Sequence, residues 1–300
     1  MLLALLVLFA VAMWRNWDTI QRVFLGGLKV YETVPPRLPA DLKRPAILVF
    51  SKTNAFRHDE AIPAAAKMFE DLAKEKGWGL FQTKNGATFR PDILARFDAV
   101  VFSNTSGDVF TPAQRAAFKS FVENGGGWVG IHAAGDNSHQ AWGWYMTDVI
   151  GTTFIGHPVD PQFQQATVRP EDRAHPATKH LADAWQRTDE WYSFDKSPRG
   201  RHGVTVLATL DESTYEPGSF VGTELAMGKD PPIVWSRCVG KGRALYSALG
   251  HTAASFAEPE YRQLLAGALD WALKLEGEGC GTRATQSLAV RQMGEQTGLR

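Results

Sequence analysis

The sequence predicts an α/β fold, a mostly parallel sheet flanked by helices, with additional β-strands in its second half. Two observations carry this expectation. Between residues 45 and 132, short apolar runs alternate with segments of helical period, and that alternation implies βαβ units and a right-handed parallel sheet. Beyond residue 150 the pattern is less regular and hairpin signals take over.

Residues 45–51 (PAILVFS) form a short run rich in branched residues, as expected of a buried parallel strand. From residue 58 to 76 apolar side chains recur at Ile62, Ala65, Ala66, Phe69, Leu72 and Ala73, which is helical spacing, and Gly77 ends that helix. Residues 79–83 and 97–103 read as the second and third strands. Thr111 suits a helix N-cap, Pro112 the first helical position, and Gln114 a capping box. Gly125, Gly126 and Gly127 stop that helix, and residues 128–132 (WVGIH) form a fourth strand. Residues 142–150 read as helical, and 164–169 and 203–210 as strands. Residues 233–237 and 243–249, separated by VGKG, read as a hairpin. Residues 258–275 form an amphipathic closing helix with Leu264, Leu265, Ala268, Leu269 and Ala272 on one face.

The ends differ in character. Residues 2–13 are an unbroken apolar run, shorter than the roughly 20 residues of a full membrane span. Within residues 1–30 it reads as an anchor or a signal segment, with Ala10-Val11-Ala12 as a small-residue cleavage site. This makes the chain membrane-anchored or exported to a periplasmic space, with a membrane partner through residues 2–13 if they are not removed. Arg15, Arg22 and Lys29 on the far flank favour the opposite topology. Residues 31–44, with three prolines, read as an extended linker to a domain over residues 45–276, and residues 277–300 as a disordered tail.

Lys plus Arg and Asp plus Glu balance at 32 each. No positive excess exists to neutralise phosphates, so a nucleic-acid partner is not expected. Cys238 and Cys280 are too few for a Cys-rich zinc site, although in an exported chain they could pair as a disulfide. The ten tryptophans fit either a core or a sugar-stacking role.

In open parallel sheets, ligands bind beyond the carboxyl ends of the strands. That rule gathers Asn54 and His58 after the first strand, Asn104 after the third, His132 and Asp136 after the fourth, and His251 after the hairpin. Residues 189–192 (DEWY) add two carboxylates and two aromatics. Strand alternation pairs Asp189 with Trp191 and Glu190 with Tyr192, and the pair read as facing the site is Glu190 and Tyr192, with Trp191 kept as a sugar-stacking candidate. His139, His180 and His202 sit among polar residues and read as surface positions. No GxSxG, P-loop or GxGxxG motif is present.

Residues 125–136 (GGGWVGIHAAGD) place a Gly-rich turn before an apolar strand and a second tight turn. This resembles the nucleophile elbow of class I glutamine amidotransferases, with His132 at the position of the nucleophilic cysteine. Together with residues 47–58 (ILVFSKTNAFRH), 151–158 (GTTFIGHP), His175-Pro176, 188–192, 232–235, 240–242 and 246–251 (YSALGH), the chain resembles the ThuA-like, trehalose-utilisation family over about residues 45–275. One departure is Ala133-Ala134-Gly135-Asp136, where the family more often reads Ser-Ala-Thr-Asp. The resemblance implies a flavodoxin-like, class I glutamine amidotransferase-like fold and a role in sugar metabolism, acting on or binding a small-molecule sugar or keto-sugar. The missing thiolate excludes Cys-dependent amidotransfer.

Two chemistries fit the candidate residues. His132, His157 and His251 with a carboxylate suit a divalent metal such as zinc. Without metal, His132 or His251 suits a general base, with Asp136, Glu190 and His251 completing the catalytic set around His132. A non-catalytic, membrane-tethered sugar-binding or partner-binding module is the alternative, motivated by the lost cysteine and the leading apolar run.

Overall fold

The structure, a computed structural model, describes residues 11–280. Its strands are β1 (Ala46–Phe50), β2 (Gly79–Thr83), β3 (Ala99–Ser103), β4 (Gly127–Ile131), β5 (Phe154–Gly156), β6 (Phe163–Pro170), β7 (Trp185–Glu190), β8 (Ser193–Phe194), β9 (Val204–Asp211), β10 (Ser219–Phe220), β11 (Thr223–Glu224), β12 (Pro232–Val239) and β13 (Gly242–Ser247). Its helices are α1 (Trp17–Phe24), α2 (Ala61–Lys76), α3 (Pro91–Leu94), α4 (Pro112–Glu123), α5 (Ala253–Ala257) and α6 (Pro259–Ala272). Nine strands form one sheet in the order β2-β1-β3-β4-β13-β12-β9-β6-β7.

The expected α/β architecture is present, and the sheet divides into two halves. Strands β2, β1, β3, β4 and β13 pair in parallel. Every residue of β1, β3 and β4 is buried, which is why these strands read as continuous apolar runs. Helix α2 buries Ala61, Ile62, Ala65, Met68, Phe69, Leu72 and Ala73, and ends on Gly77 in the left-handed region at φ 71°. Helix α4 opens with the capping box expected at Thr111 and Gln114. The stretch expected to be helical at 142–150 is a π-helical turn over Tyr145–Ile150.

Strands β12, β9, β6 and β7 continue the sheet by antiparallel pairing. Four reversals from β13 leave β7 running in the same sense as the parallel strands. Its last residue, Glu190, therefore lies at the same edge as their carboxyl ends. In a flat sheet β7 would stand five spacings, about 24 Å, from β4. Yet Glu190 Oε2 is 3.2 Å from Nε2 of His132, the residue directly after β4. The antiparallel half thus curls back over the carboxyl edge of the parallel half.

The tryptophans mostly fill the core: Trp128, Trp191 and Trp235 are among its largest fully buried side chains. Residues 31–44 contain no helix or strand, as expected of an extended linker, but they are strapped to the domain. Tyr31 Oη donates to Asp108 at 2.9 Å, the buried Lys52 ammonium meets Glu32 at 2.6 Å, and Arg96 donates to the Pro39 carbonyl at 2.6 Å. At the far end of the sheet Cys238 and Cys280 form a disulfide across 42 residues, with a Cα–Cα distance of 5.5 Å. Residues 1–10, most of the apolar leading run, and residues 281–300, most of the expected tail, lie outside the described residues. Among the described residues no helix is long and apolar enough to cross a membrane.

Candidate functional site

The elbow expected at residues 130–132 is a sharp turn. His132 sits at φ 50°, in the left-handed region that non-glycine residues rarely occupy, and a 3-10 turn begins there. Such strain persists where the surroundings over-determine it, and they do here. Tyr246 Oη donates to the His132 carbonyl at 2.7 Å, and the Ala248 carbonyl lies 2.7 Å from His132 Nδ1. Gly135 completes the turn under the Tyr246 ring, where an added Cβ would lie 2.3 Å from the ring. A larger residue at this position would therefore have to displace the Tyr246 ring.

Four side chains converge at this edge: His58 from the loop between β1 and α2, His132 after β4, His251 after β13, and Glu190 at the end of β7. One ligand atom from each lies within 4.8 Å of all the others. Glu190 Oε2 is 3.2 Å from His132 Nε2 and 3.0 Å from His251 Nδ1, and those two nitrogens are 3.1 Å apart. The other oxygen, Oε1, accepts from Gln162 Nε2 at 2.5 Å and lies 3.2 Å from His157 Nδ1. His58 presents its ring edge-on, with centroids 4.8 Å from His132 and 4.4 Å from His251.

Burial and charge pull these groups apart in basicity. Burial would raise the Glu190 carboxyl, but hydrogen bonds from His132 and His251 outweigh it and hold the carboxyl well below its usual range. Burial would lower His132, but its hydrogen bond to Glu190 and the charges of Glu190 and Asp189 raise it. His58 is lowered well below the ordinary imidazole value, first by burial and then by the neighbouring histidines. The imidazoles of His132 and His58 are thus driven in opposite directions within one cluster.

A buried support holds the cluster. Asp189 accepts from the backbone N–H groups of Gly250, at 2.8 Å, and His251, at 3.1 Å. It is in turn held by Arg187 at 2.9 Å and by the Ser255 hydroxyl at 3.2 Å. Asn104, itself left-handed at φ 50°, donates from Nδ2 to the Gly250 carbonyl at 3.1 Å. Arg187 is the support that sequence reasoning missed. Its only signal is the two-residue spacing from Asp189, which puts both on one face of β7. Gln162 carried no signal.

The expected residues divide accordingly. His132, Glu190 and His251 meet, and His58, read as a substrate-binding residue, lies with them. His157 stands beside the outer oxygen of Glu190, and its Nδ1 also lies 2.9 Å from the Pro158 carbonyl. It is not among the four converging ligand atoms, which include His58 beside His132 and His251. Tyr192 faces the site and packs against His132 with the rings tilted by 32° and 4.1 Å between centroids. Trp191 does not: it is fully buried and its indole N–H donates to the Gln164 carbonyl at 2.9 Å. Alternation correctly separates Tyr192 from Trp191, but Asp189 and Glu190 both reach the site because β7 ends there.

Asn54 donates from Nδ2 to the Val30 and Asp108 carbonyls. Asp136 caps the next turn by accepting from the Ser138 N–H at 2.8 Å, and burial raises its carboxyl. His139, read as a surface residue, is buried between the Thr105 and Ala133 carbonyls at 3.0 and 3.2 Å. Two aromatic rings flank the cluster. Phe56 packs edge-on against His58 at 4.9 Å and Phe163 against His251 at 5.1 Å, and both phenyl rings remain exposed. A separate cavity of about 600 Å³ opens at the opposite ends of the strands, near Val204, Ser236, Cys238 and Trp271. It holds none of the clustered histidines.

The trehalose-utilisation family model, ThuA, matches residues 46–272. A ThuA-like protein from Bacteroides uniformis ATCC 8492 has 28% identity, with 80% of this chain and 95% of that one covered at a TM-score of 0.65. A ThuA-like protein from Parabacteroides merdae ATCC 43184 shares the fold at 19% identity and a TM-score of 0.61, over 79% of this chain and 93% of that one. None of the curated proteins matches. The chain belongs to the ThuA, trehalose-utilisation, family.

Proposed function

We propose that the protein acts on a carbohydrate or its keto derivative in sugar utilisation, with the His132–Glu190–His251 cluster as the reacting site. The observation that carries this reading is the buried carboxylate of Glu190 within 3.2 Å of two imidazole nitrogens. A buried charge triad is costly to assemble, and a surface that only binds neutral sugar does not need one. The non-catalytic module is therefore not favoured.

The chemistry within reach is proton transfer at a sugar hydroxyl or at the carbon beside a keto group. His132 and His251 hold and pass the proton, and Glu190 stabilises whichever imidazole is charged. Phe56 and Phe163 offer flat apolar faces to the C–H side of a sugar ring, and their exposure beside the cluster supports that role. Residues 2–13 would hold this activity at a membrane if they remain attached.

The test is turnover of disaccharides and keto-sugars followed by proton NMR in deuterated buffer, which reports both product and solvent exchange beside the carbonyl. Wild type should turn over or exchange at least one substrate, and His132→Gln should lose that activity. Equal activity in the two proteins would remove His132 from the reaction.

A further inference from the structure

We propose that His58, His132, Glu190 and His251 hold one divalent first-row metal ion, with His132 Nε2, His251 Nδ1 and Glu190 Oε2 as the nearest face and His58 as a fourth donor. The proposal deepens the reading of this site and rests on the cluster being the reacting centre, but not on the substrate being a sugar.

Geometry is the first support. The three nearest atoms form a triangle with edges of 3.0, 3.1 and 3.2 Å. An ion about 2.0–2.2 Å from nitrogen and oxygen donors spaces neighbouring donors by roughly 3.0–3.4 Å, for six- and four-coordination respectively. The triangle already has the size of one face of a coordination polyhedron.

The direction of the lone pairs is the second. The Ala248 carbonyl at His132 Nδ1 requires an N–H there, so neutral His132 turns the lone pair of Nε2 toward Glu190 Oε2. Gln162 occupies the other carboxylate oxygen and leaves Oε2 pointing inward. An imidazole that donates one N–H to a backbone carbonyl while its other nitrogen faces a carboxylate oxygen is the arrangement that outer partners impose on metal-binding histidines.

His58 is the third. It is only 5% exposed, yet among the described residues its Nδ1 has no hydrogen-bond partner. A buried nitrogen left unsatisfied costs roughly 1–3 kcal/mol, and its ring adjoins both other histidines. Three imidazoles and one carboxylate, without thiolate, suit zinc, manganese, iron or cobalt. With their lone pairs on the ion, His132 and His251 would serve as ligands in place of free bases, and the ion itself would polarise a carbonyl or acidify a hydroxyl oxygen of the substrate.

The test uses the purified full chain, stripped with a chelator, loaded with Co²⁺, desalted and analysed for metal by mass spectrometry and visible absorption. About one ion per chain and a cobalt d–d band are expected. Glu190→Gln and His251→Ala should each weaken Co²⁺ binding by about 100-fold or more. His251 sits nearer solvent, so its variant keeps the test valid if Glu190→Gln fails to fold, as judged by circular dichroism. A folded wild type retaining less than about a tenth of an ion per chain, or unchanged affinity in a folded His251→Ala, would overturn the proposal. Metal binding without sugar turnover would keep the ion and dismiss the carbohydrate reading, whereas turnover by a protein that binds no metal would do the reverse.

Discussion

The two halves of the sheet contribute different chemistry. The parallel half supplies the imidazoles: His58, His132 and His251 all lie just beyond the carboxyl ends of its strands. The antiparallel half supplies the carboxylates, Asp189 and Glu190, from one strand that reaches the site only because the sheet curls. In the parallel half, strand ends bring the side chains to the edge, and Asp189 of β7 then fixes the backbone at His251. In the antiparallel half, placement depends on four successive pairings, each of which must hold its register. The carboxylates thus depend on long-range pairing, so a register slip in the second half should disarm the site.

The largest effect should come from Glu190→Gln, which keeps the shape and removes the charge. A loss of about 10²–10⁴-fold in kcat/KM is expected, measured on whichever keto-sugar wild type uses. Retained activity would mean that the imidazoles suffice and that the antiparallel half is dispensable. Asp189→Asn should act next, on stability and loop position together. It leaves Arg187, 1% exposed at its side chain, without its buried counter-charge, at a cost of about 3–5 kcal/mol. The urea midpoint reads the cost. A change below about 1 kcal/mol would show that Glu258, 3.3 Å from Arg187, compensates.

Removing the disulfide by Cys238→Ser with Cys280→Ser should destabilise by about 2–4 kcal/mol and leave KM unchanged, because that link lies at the opposite ends of the strands. A changed KM would couple the two ends of the sheet. The smallest effect belongs to the parallel half. Burial would raise Asp108, but hydrogen bonds from Tyr31 and Arg115 outweigh it and hold its carboxyl below 3.8. A lowered carboxyl stabilises the fold above its unfolded value, and that contribution disappears as pH falls below about 3.8 through the folded value. Tyr31→Phe should cost about 1 kcal/mol at neutral pH and flatten the acid side of the melting curve. An unchanged acid limb would show that residues 31–44 are not held through Asp108.

Much of the parallel half was legible in the sequence. Its strands are buried on both faces and therefore read as apolar runs, and Thr111-Pro112-Ala113-Gln114 announced its cap through local chemistry alone. His132 and His251 were found because strand ends can be read locally. Glu190 and Tyr192 came from alternation, which holds until β7 ends. The choice between His58 and His157 was not legible. Both follow short strands, and only the curl of the antiparallel half decides which nitrogen enters the cluster. The hydrogen bonds of Asn54 and the burial of His139 were not legible for a related reason. Each satisfies backbone carbonyls from distant turns, and no local pattern shows which buried carbonyls will need a donor. Trp191 failed because a large aromatic beside a site serves the core as readily as a ligand.

The central claim is that imidazoles from one half and a carboxylate from the other close around a single point. A crystal of the full chain soaked in Co²⁺, with data collected across the cobalt absorption edge, tests it most directly. The account predicts one strong anomalous peak about 2 Å from His132 Nε2, His251 Nδ1 and Glu190 Oε2. A map without density there, or side chains at 132, 190 and 251 too far apart to share one ion, would contradict it.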